Sequence, residues 1–326
     1  MKPDVGTLRV GTRGSRLALW QAEHVAACLR REHPGLVVEP VVLSTAGDRV
    51  VDVALSKVGD KGLFTRELEE ALGDGRIDVA VHSLKDLPTE MPDDLVLGAV
   101  LEREDPRDAL VGPWTGGLDA LPDGARVGTS SLRRRAQLLS RRPDVRVVDL
   151  RGNVPTRLAK LGRGECDAAV LALAGLRRLG LEHAVGTVLQ PEAMLPAVGQ
   201  GALAVQCRGG DSRVKALLGP LDDGPTRLAV AAERGFLARL EGGCQVPVGC
   251  LATPATTRLR LRGLVADVDG SVVVSGVLED AVAAELSATA LGERLAERLL
   301  ANGAGEILAR VRAAVAEGSV SVWGEA

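Results

Sequence analysis

Arg-Val-Gly-Thr at residues 126–129 repeats residues 9–12 letter for letter, and in both places a polar turn containing serine (Ser15; Ser130 and Ser131) leads into a predicted helix. A second echo follows in the same order: Gly-Arg-Ile-Asp-Val-Ala-Val at 75–81 returns as Gly-Glu-Cys-Asp-Ala-Ala-Val at 164–170. The offsets of 117 and 89 residues differ, so the pattern is two related domains carrying different insertions and not a short tandem array. Short β-branched runs such as Val79-Ala80-Val81 read as strands buried on both faces of an open sheet.

Strand and helix alternate outward from these repeats. Leu8–Thr12 is a predicted strand, Ser15 caps a helix to about Arg31, Leu36–Leu43 and Leu95–Leu101 are strands, and Leu63–Leu72 is helical. Ser44–Gly62 has no period and reads as a mobile lid. After Pro196-Ala197-Val198-Gly199-Gln200-Gly201 the chain crosses back, with a strand at Ala202–Cys207 and a short helix at Ser212–Leu218. A helix from Pro225 to about Leu240 stops at Gly242-Gly243. Alternating strands follow, with Asp269-Gly270 as the hairpin turn, and two amphipathic helices at about 281–300 and 304–316 close the chain. The expected fold is α/β: two related doubly wound α/β domains resembling two-lobed binding proteins, plus a C-terminal α+β domain. The expected boundaries are 1–101 with 202–220 returning to it, 107–196, and 224–326.

Ligands in open α/β sheets sit beyond the carboxyl ends of the strands, and the strand within Asp78–Val81 runs into a turn bearing His82, Ser83, Lys85 and Asp86. Asp86 therefore stands where chemistry is done. On this stretch alone, a cap before Pro88 and a merely solvated Lys85 are equally good readings. The turns after Thr12 and Thr129 lie at helix amino termini, which favour anions.

The chain has 34 Arg against 6 Lys, and residues 126–163 hold ten Arg and one Lys against two Asp, a local excess of +9. That is an anion site or a solvated face; Arg135, Arg141, Arg142 and Arg146 are expected to face solvent. Nucleic acid is disfavoured by an overall net charge of -3 and by having no Tyr, two Phe and three Trp, which leaves no aromatic platforms for bases. Five scattered cysteines, none in a CxxC pair, argue against a disulfide framework and a zinc site. No apolar run serves as a signal peptide or membrane span, so a cytoplasmic protein with no metal and no membrane partner is expected.

Six stretches carry a resemblance: VHSLKDLP (81–88), EREDPRDAL (102–110), VGTSSLRRRAQL (127–138), LRGNVPTRL (150–158), LPAVGQGAL (195–203) and EGGCQVPVG (241–249). In this order and over essentially the whole chain they resemble the porphobilinogen deaminase (hydroxymethylbilane synthase) family. The resemblance implies a transferase of porphyrin and heme biosynthesis. Such an enzyme joins four porphobilinogen units with release of ammonia, then hydrolyses off the linear hydroxymethylbilane. It also implies a dipyrromethane cofactor held by a thioether from Cys244, and Asp86 as the catalytic carboxylate.

The cofactor-binding set implied is Cys244, Ser83, Lys85, Asp86, Thr129, Ser130, Ser131, Arg133, Arg134, Arg151 and Gly152. The substrate-binding set is Arg13, Ser15, Arg157, Arg178 and Gln200, the arginines gripping the acetate and propionate groups that every ring carries. A monomer is expected. Gly14, Arg16, Pro155 and Arg135 depart from the family pattern and touch neither Asp86 nor Cys244. A lone cysteine is most often a small buried hydrophobe, which remains the reading for Cys250; only the resemblance singles out Cys244. The rival is a non-enzymatic two-lobed carboxylate-binding protein, which gives Cys244 and the third domain no role.

Overall fold

A computed structural model describes residues 6–44, 65–240, 246–255 and 258–317. In chain order the elements are β1 (Thr7–Arg13), α1 (Arg16–Glu32), β2 (Val37–Leu43), α2 (Arg66–Gly73), β3 (Val79–Ser83) and β4 (Leu95–Val100). Next come β5 (Asp108–Val111), β6 (Arg126–Gly128), α3 (Leu132–Arg141), β7 (Arg146–Val148), α4 (Val154–Gly162), β8 (Ala168–Ala172), α5 (Leu173–Arg178) and β9 (Val185–Val188). The chain ends with β10 (Leu203–Arg208), α6 (Ser212–Leu218), α7 (Gly224–Arg239), β11 (Val248–Ala255), β12 (Arg258–Ala266), β13 (Val273–Ala281), α8 (Glu285–Leu299) and α9 (Gly305–Ala316). The chain divides into two compact units, one comprising described residues up to Glu104 and Ala202–Arg227, the other Asp105–Gly201 and the residues from Leu228 on.

The first unit holds a sheet in the order β2-β1-β3-β10-β4. Along β3, Val79 and Val81 pack with Val10, Val25 and Leu29 on one face, and Ala80 packs with Leu68, Leu72 and Ile77 on the other. Both faces are covered, as the apolar run predicts. The returning strand β10 runs antiparallel to both β3 and β4, which makes the sheet mixed.

In the second unit the order β7-β6-β8-β5-β9 repeats the first sheet position for position, with β5 as the antiparallel strand between β8 and β9. The letter repeats have physical causes. Arg9 donates from Nη2 to Asp78 Oδ1 at 2.7 Å and from its backbone N–H to Asp78 Oδ2 at 2.8 Å. Arg126 and Asp167 make the same two bonds at 2.7 and 2.8 Å. Each pair fastens the head of a lobe's first strand to the head of its third. A Cβ on Gly11 would sit 2.3 Å from Ile77 Cδ1, and one on Gly128 would sit 2.9 Å from Cys166 Sγ. A side chain at either glycine would push aside the residue entering the third strand.

The three-stranded antiparallel sheet β11-β12-β13 belongs to the second unit and packs on α8, with Leu261, Val265, Leu295 and Leu299 in one core. Leu195, Ala136, Leu251 and Leu264 form a further cluster that joins it to α3 and the segment after β9 of the same unit. The hairpin turn is as read, Gly270 taking φ 75° and donating to Asp267 O. Cys250 is fully buried, in keeping with its bland reading. The 44–62 lid expectation falls, beyond Ser44, outside the described residues.

One expectation is corrected. Arg135, Arg141 and Arg146 are exposed, but the Arg142 side chain is only 13% exposed. Its Nη1 donates to Leu118 O at 2.7 Å and to Leu121 O at 2.8 Å while its Nη2 pairs with Asp144 at 2.6 Å. Arg142 staples the 118–121 segment, because those carbonyls lie at the end of a short 3-10 turn and need a donor.

Candidate active site

At the end of β3 a single 3-10 turn, Leu84–Asp86, presents the charged residues. Leu84 and Leu87 are buried at 1% and 4% exposure and pin the turn from both sides, and Leu84 N–H donates to Ala202 O at 3.0 Å. Asp86, between them, is exposed, and its carboxylate makes no hydrogen bond or ion pair with the described residues. It caps nothing. An exposed carboxylate on a turn fixed by two leucines is positioned without being spent. Lys85 is half-buried and engaged.

Ser15 accepts from Ala18 N–H as the N-cap of α1, and Ser83 Oγ accepts from Gln21 Nε2 at 2.7 Å. Arg13, Ser15, Gln21, His82, Ser83 and Asp86 line one recess of the first unit. Five of these were named from the sequence, and the structure brings them together. Gln21 was not, although it falls on the i, i+4, i+8 stripe with Val25 and Leu29, where a polar residue on an apolar face is a signal.

His82 lies 5% exposed beside Asp86 in that recess. Burial pushes its pKa from 6.5 down to about 4, against a contact with Gln206 and with help from the Arg13 charge. The imidazole is therefore neutral near pH 7. Between pH 6.5 and 4 the unfolded chain binds a proton that the folded one refuses, so this contribution to stability is complete above about 6.5 and is lost as pH falls. His82→Leu should flatten the acid side of the stability curve, by roughly 3 kcal/mol between pH 7.5 and 4. Urea midpoints of parent and variant that run parallel through that range would contradict a buried neutral histidine.

In the second unit the ends of β6 and β7 meet. Thr129 N–H donates to Val148 O at 2.9 Å, the Ser130 hydroxyl donates to Asp149, and Ser131 caps α3 by accepting from Arg134 N–H. Arg151 Nε donates to Asp149 at 2.8 Å, and Arg157 Nε to the carbonyl of Gly152, whose φ is 109°. Arg178 donates to Gly201 O at 2.6 Å. The structure thus gathers Thr129, Ser130, Ser131, Arg151, Gly152 and Arg157 around two helix amino termini.

Arg133 and Arg134, in the first turn of α3, turn inward, 4% and 5% exposed, on either side of Asp108, which has no exposed surface. Asp108 accepts from Arg133 Nη1 at 2.7 Å, from Arg134 Nη2 at 2.8 Å and from Gln200 Nε2 at 2.9 Å. The two guanidiniums, opposing the cost of burial, hold its carboxyl well below the usual carboxylate range. Sequence reading named three members of this cluster and missed the acid at its centre. Cys244 lies outside the described residues.

Among the described residues no helix is long and apolar enough to cross a membrane, and no group of His, Cys, Asp or Glu is arranged to hold a metal ion. A family model described as "Porphobilinogen deaminase, dipyromethane cofactor binding domain" matches residues 8–216, and one described as "Porphobilinogen deaminase, C-terminal domain" matches residues 227–301. A porphobilinogen deaminase of Syntrophotalea carbinolica is 55% identical over 302 residues, covering 93% of this chain and 95% of its own. Those of Nitratidesulfovibrio vulgaris and Moorella thermoacetica are both 53% identical, covering 93% and 94% of this chain and 96% and 97% of theirs. Of solved structures, the methionine binding protein MetQ, 17% identical, covers 71% of this chain and 96% of its own with a TM-score of 0.42.

Proposed function

The chain belongs to the porphobilinogen deaminase family, and from that membership we propose how its own residues carry the family's reaction. It is a transferase of tetrapyrrole biosynthesis that polymerises porphobilinogen with loss of ammonia and releases hydroxymethylbilane by hydrolysis. The rival reading, a carboxylate-binding protein without chemistry, is not favoured.

The observation that carries the site assignment is Asp86, an unspent carboxylate on a turn pinned by Leu84 and Leu87. When the aminomethyl C–N bond of porphobilinogen breaks, ammonia leaves with the electron pair and positive charge spreads into the ring and its N–H. A fixed carboxylate beside that N–H lowers the energy of the cation. The same carboxylate accepts the ring proton that departs once the new C–C bond has formed. Arg13, Ser15 and Ser83, which line the recess with Asp86, orient the substrate's acetate and propionate.

The residues present fit a cofactor rich in carboxylates. Arg133, though buried, keeps Nε and Nη2 without a partner among the described residues, and Arg151 and Arg157 are half-buried around Gly152 at the amino terminus of α4. When bound, the dipyrromethane supplies the free ring carbon to which the first substrate adds. Ser83, Lys85, Asp86, Thr129, Ser130, Ser131 and Arg134 complete the proposed cofactor set, and Arg157, Arg178 and Gln200 serve the growing chain. Attachment is a thioether to Cys244, and the enzyme acts as a cytoplasmic monomer. The domain boundaries are those read from the sequence.

Given porphobilinogen, the purified chain should release ammonia mole for mole with substrate consumed. Uptake of porphobilinogen into the protein with no free ammonia would restore the binding-protein reading.

A further inference from the structure

Trp20, His24 and Cys28 stand at i, i+4 and i+8 of α1 and form one row along its outer side. Trp20 and His24 are exposed, and Cys28 is half-buried at the edge of the core that Val25 and Leu29 enter. The Trp20 and His24 rings stack, with centroids 5.0 Å apart and planes 7° from parallel. Stacking holds the imidazole in one plane, and His24 Nε2 lies 4.0 Å from Cys28 Sγ. Arg31, one turn on, reaches the same sulfur; its pKa is raised, by its bond to Glu32 first and by Cys28 next. Cys28 is a free thiol, and Cys166, Cys207 and Cys250 are buried, so among the described cysteines it alone meets solvent. The row lies outside every stretch that carries the family resemblance. Cys28 is also about 18 Å along α1 from Arg16, at the end of the helix that opens on the Asp86 recess.

We propose that Cys28 is a site of reversible thiolation by small disulfides, with His24 as the base that takes its proton. An exposed cysteine shows access alone; an imidazole held against the sulfur makes a nucleophile and base pair. With its own proton on Nδ1, the His24 ring presents Nε2 as an acceptor to the thiol. The Cys28 sulfur attacks one sulfur of the disulfide, the S–S bond breaks, and the departing thiolate takes the proton back from His24. Cys28 is oxidised, the half that leaves is reduced, and one disulfide has been exchanged for another. The Arg31 guanidinium stands beside the sulfur while it carries negative charge. The site is independent of the reaction proposed at Asp86.

The purified full chain, incubated with glutathione disulfide near neutral pH, should gain the mass of one glutathione and lose it again to dithiothreitol. Cys28→Ser should gain none, and the buried Cys166, Cys207 and Cys250 should take the label only after unfolding in urea. His24→Gln keeps a polar side chain and removes the base, so its labelling should slow on the order of 10- to 100-fold. Both positions lie on the outer side of a helix, so both variants should keep the parent Tm to within about 1 °C. Labelling of His24→Gln at the parent rate would reduce Cys28 to an ordinary exposed thiol and overturn the proposal. A glutathione mass that persists in Cys28→Ser and disappears in Cys244→Ser would overturn it too, by assigning the reactive sulfur to Cys244.

Discussion

Asp86→Asn, purified with its dipyrrole in place, is expected to consume porphobilinogen on the order of 100- to 1000-fold more slowly than the parent, the usual loss when one fixed electrostatic partner of a transition state is removed. The exchange keeps the shape and removes the charge. Since the Asp86 carboxylate makes no bond to the described residues, its loss strands no buried partner and should leave Tm within about 1 °C of the parent. Substrate binding should persist, because the arginines proposed to take the ring carboxylates are untouched. Asp86→Glu keeps the charge and moves it by one methylene, and a displacement of about 1 Å costs roughly 100-fold. The order is thus Asp, then Glu, then Asn, read as ammonia released in a single turnover. An Asn variant near the parent rate would transfer the role to another group of the same recess, His82 first.

How far the sequence showed this site depends on whether the physical cause is local. The strand before Asp86 was legible because Val79, Ala80 and Val81 are apolar on both faces, and a strand buried on both faces must read that way. The duplicated lobes were legible because Arg9 and Asp78, and Arg126 and Asp167, must be kept as pairs to hold two strand heads together. Asp108 was not. It stands in a run of alternating charges that reads as a solvated surface, and its partners are 25, 26 and 92 residues away. Nothing local distinguishes an acid destined for burial from its neighbours Asp105 and Glu104. The four-residue strands β5 and β9 were missed for a related reason, since each is too short to show a period and exists by pairing with β8 and with each other. Arg142 misled in the opposite direction: two residues from Asp144 it looks like a surface pair, while its other nitrogen holds carbonyls more than twenty residues earlier. It is therefore no neutral control for the cleft arginines.

Replacing Cys244 by serine should abolish bilane formation altogether, and it tests the one assignment that rests on sequence and family alone. Attachment requires a nucleophile that attacks the cation left when the aminomethyl pyrrole loses ammonia. A thiol is a few per cent thiolate near pH 7 and intrinsically very nucleophilic, whereas a serine hydroxyl with no adjacent base stays protonated. The variant should fold, since sulfur to oxygen is a small change in side-chain size, and its intact mass should equal that of its sequence. Cys250→Ser is the matching control. Cys250 is fully buried in β11 and its N–H donates to Pro196 O, so serine there should lower Tm yet leave the dipyrrole increment in place. The two substitutions therefore separate chemistry from packing in opposite senses. Loss of the increment in Cys250→Ser with retention in Cys244→Ser would reverse the assignment, and loss in both would mean that loading follows stability, not a particular sulfur.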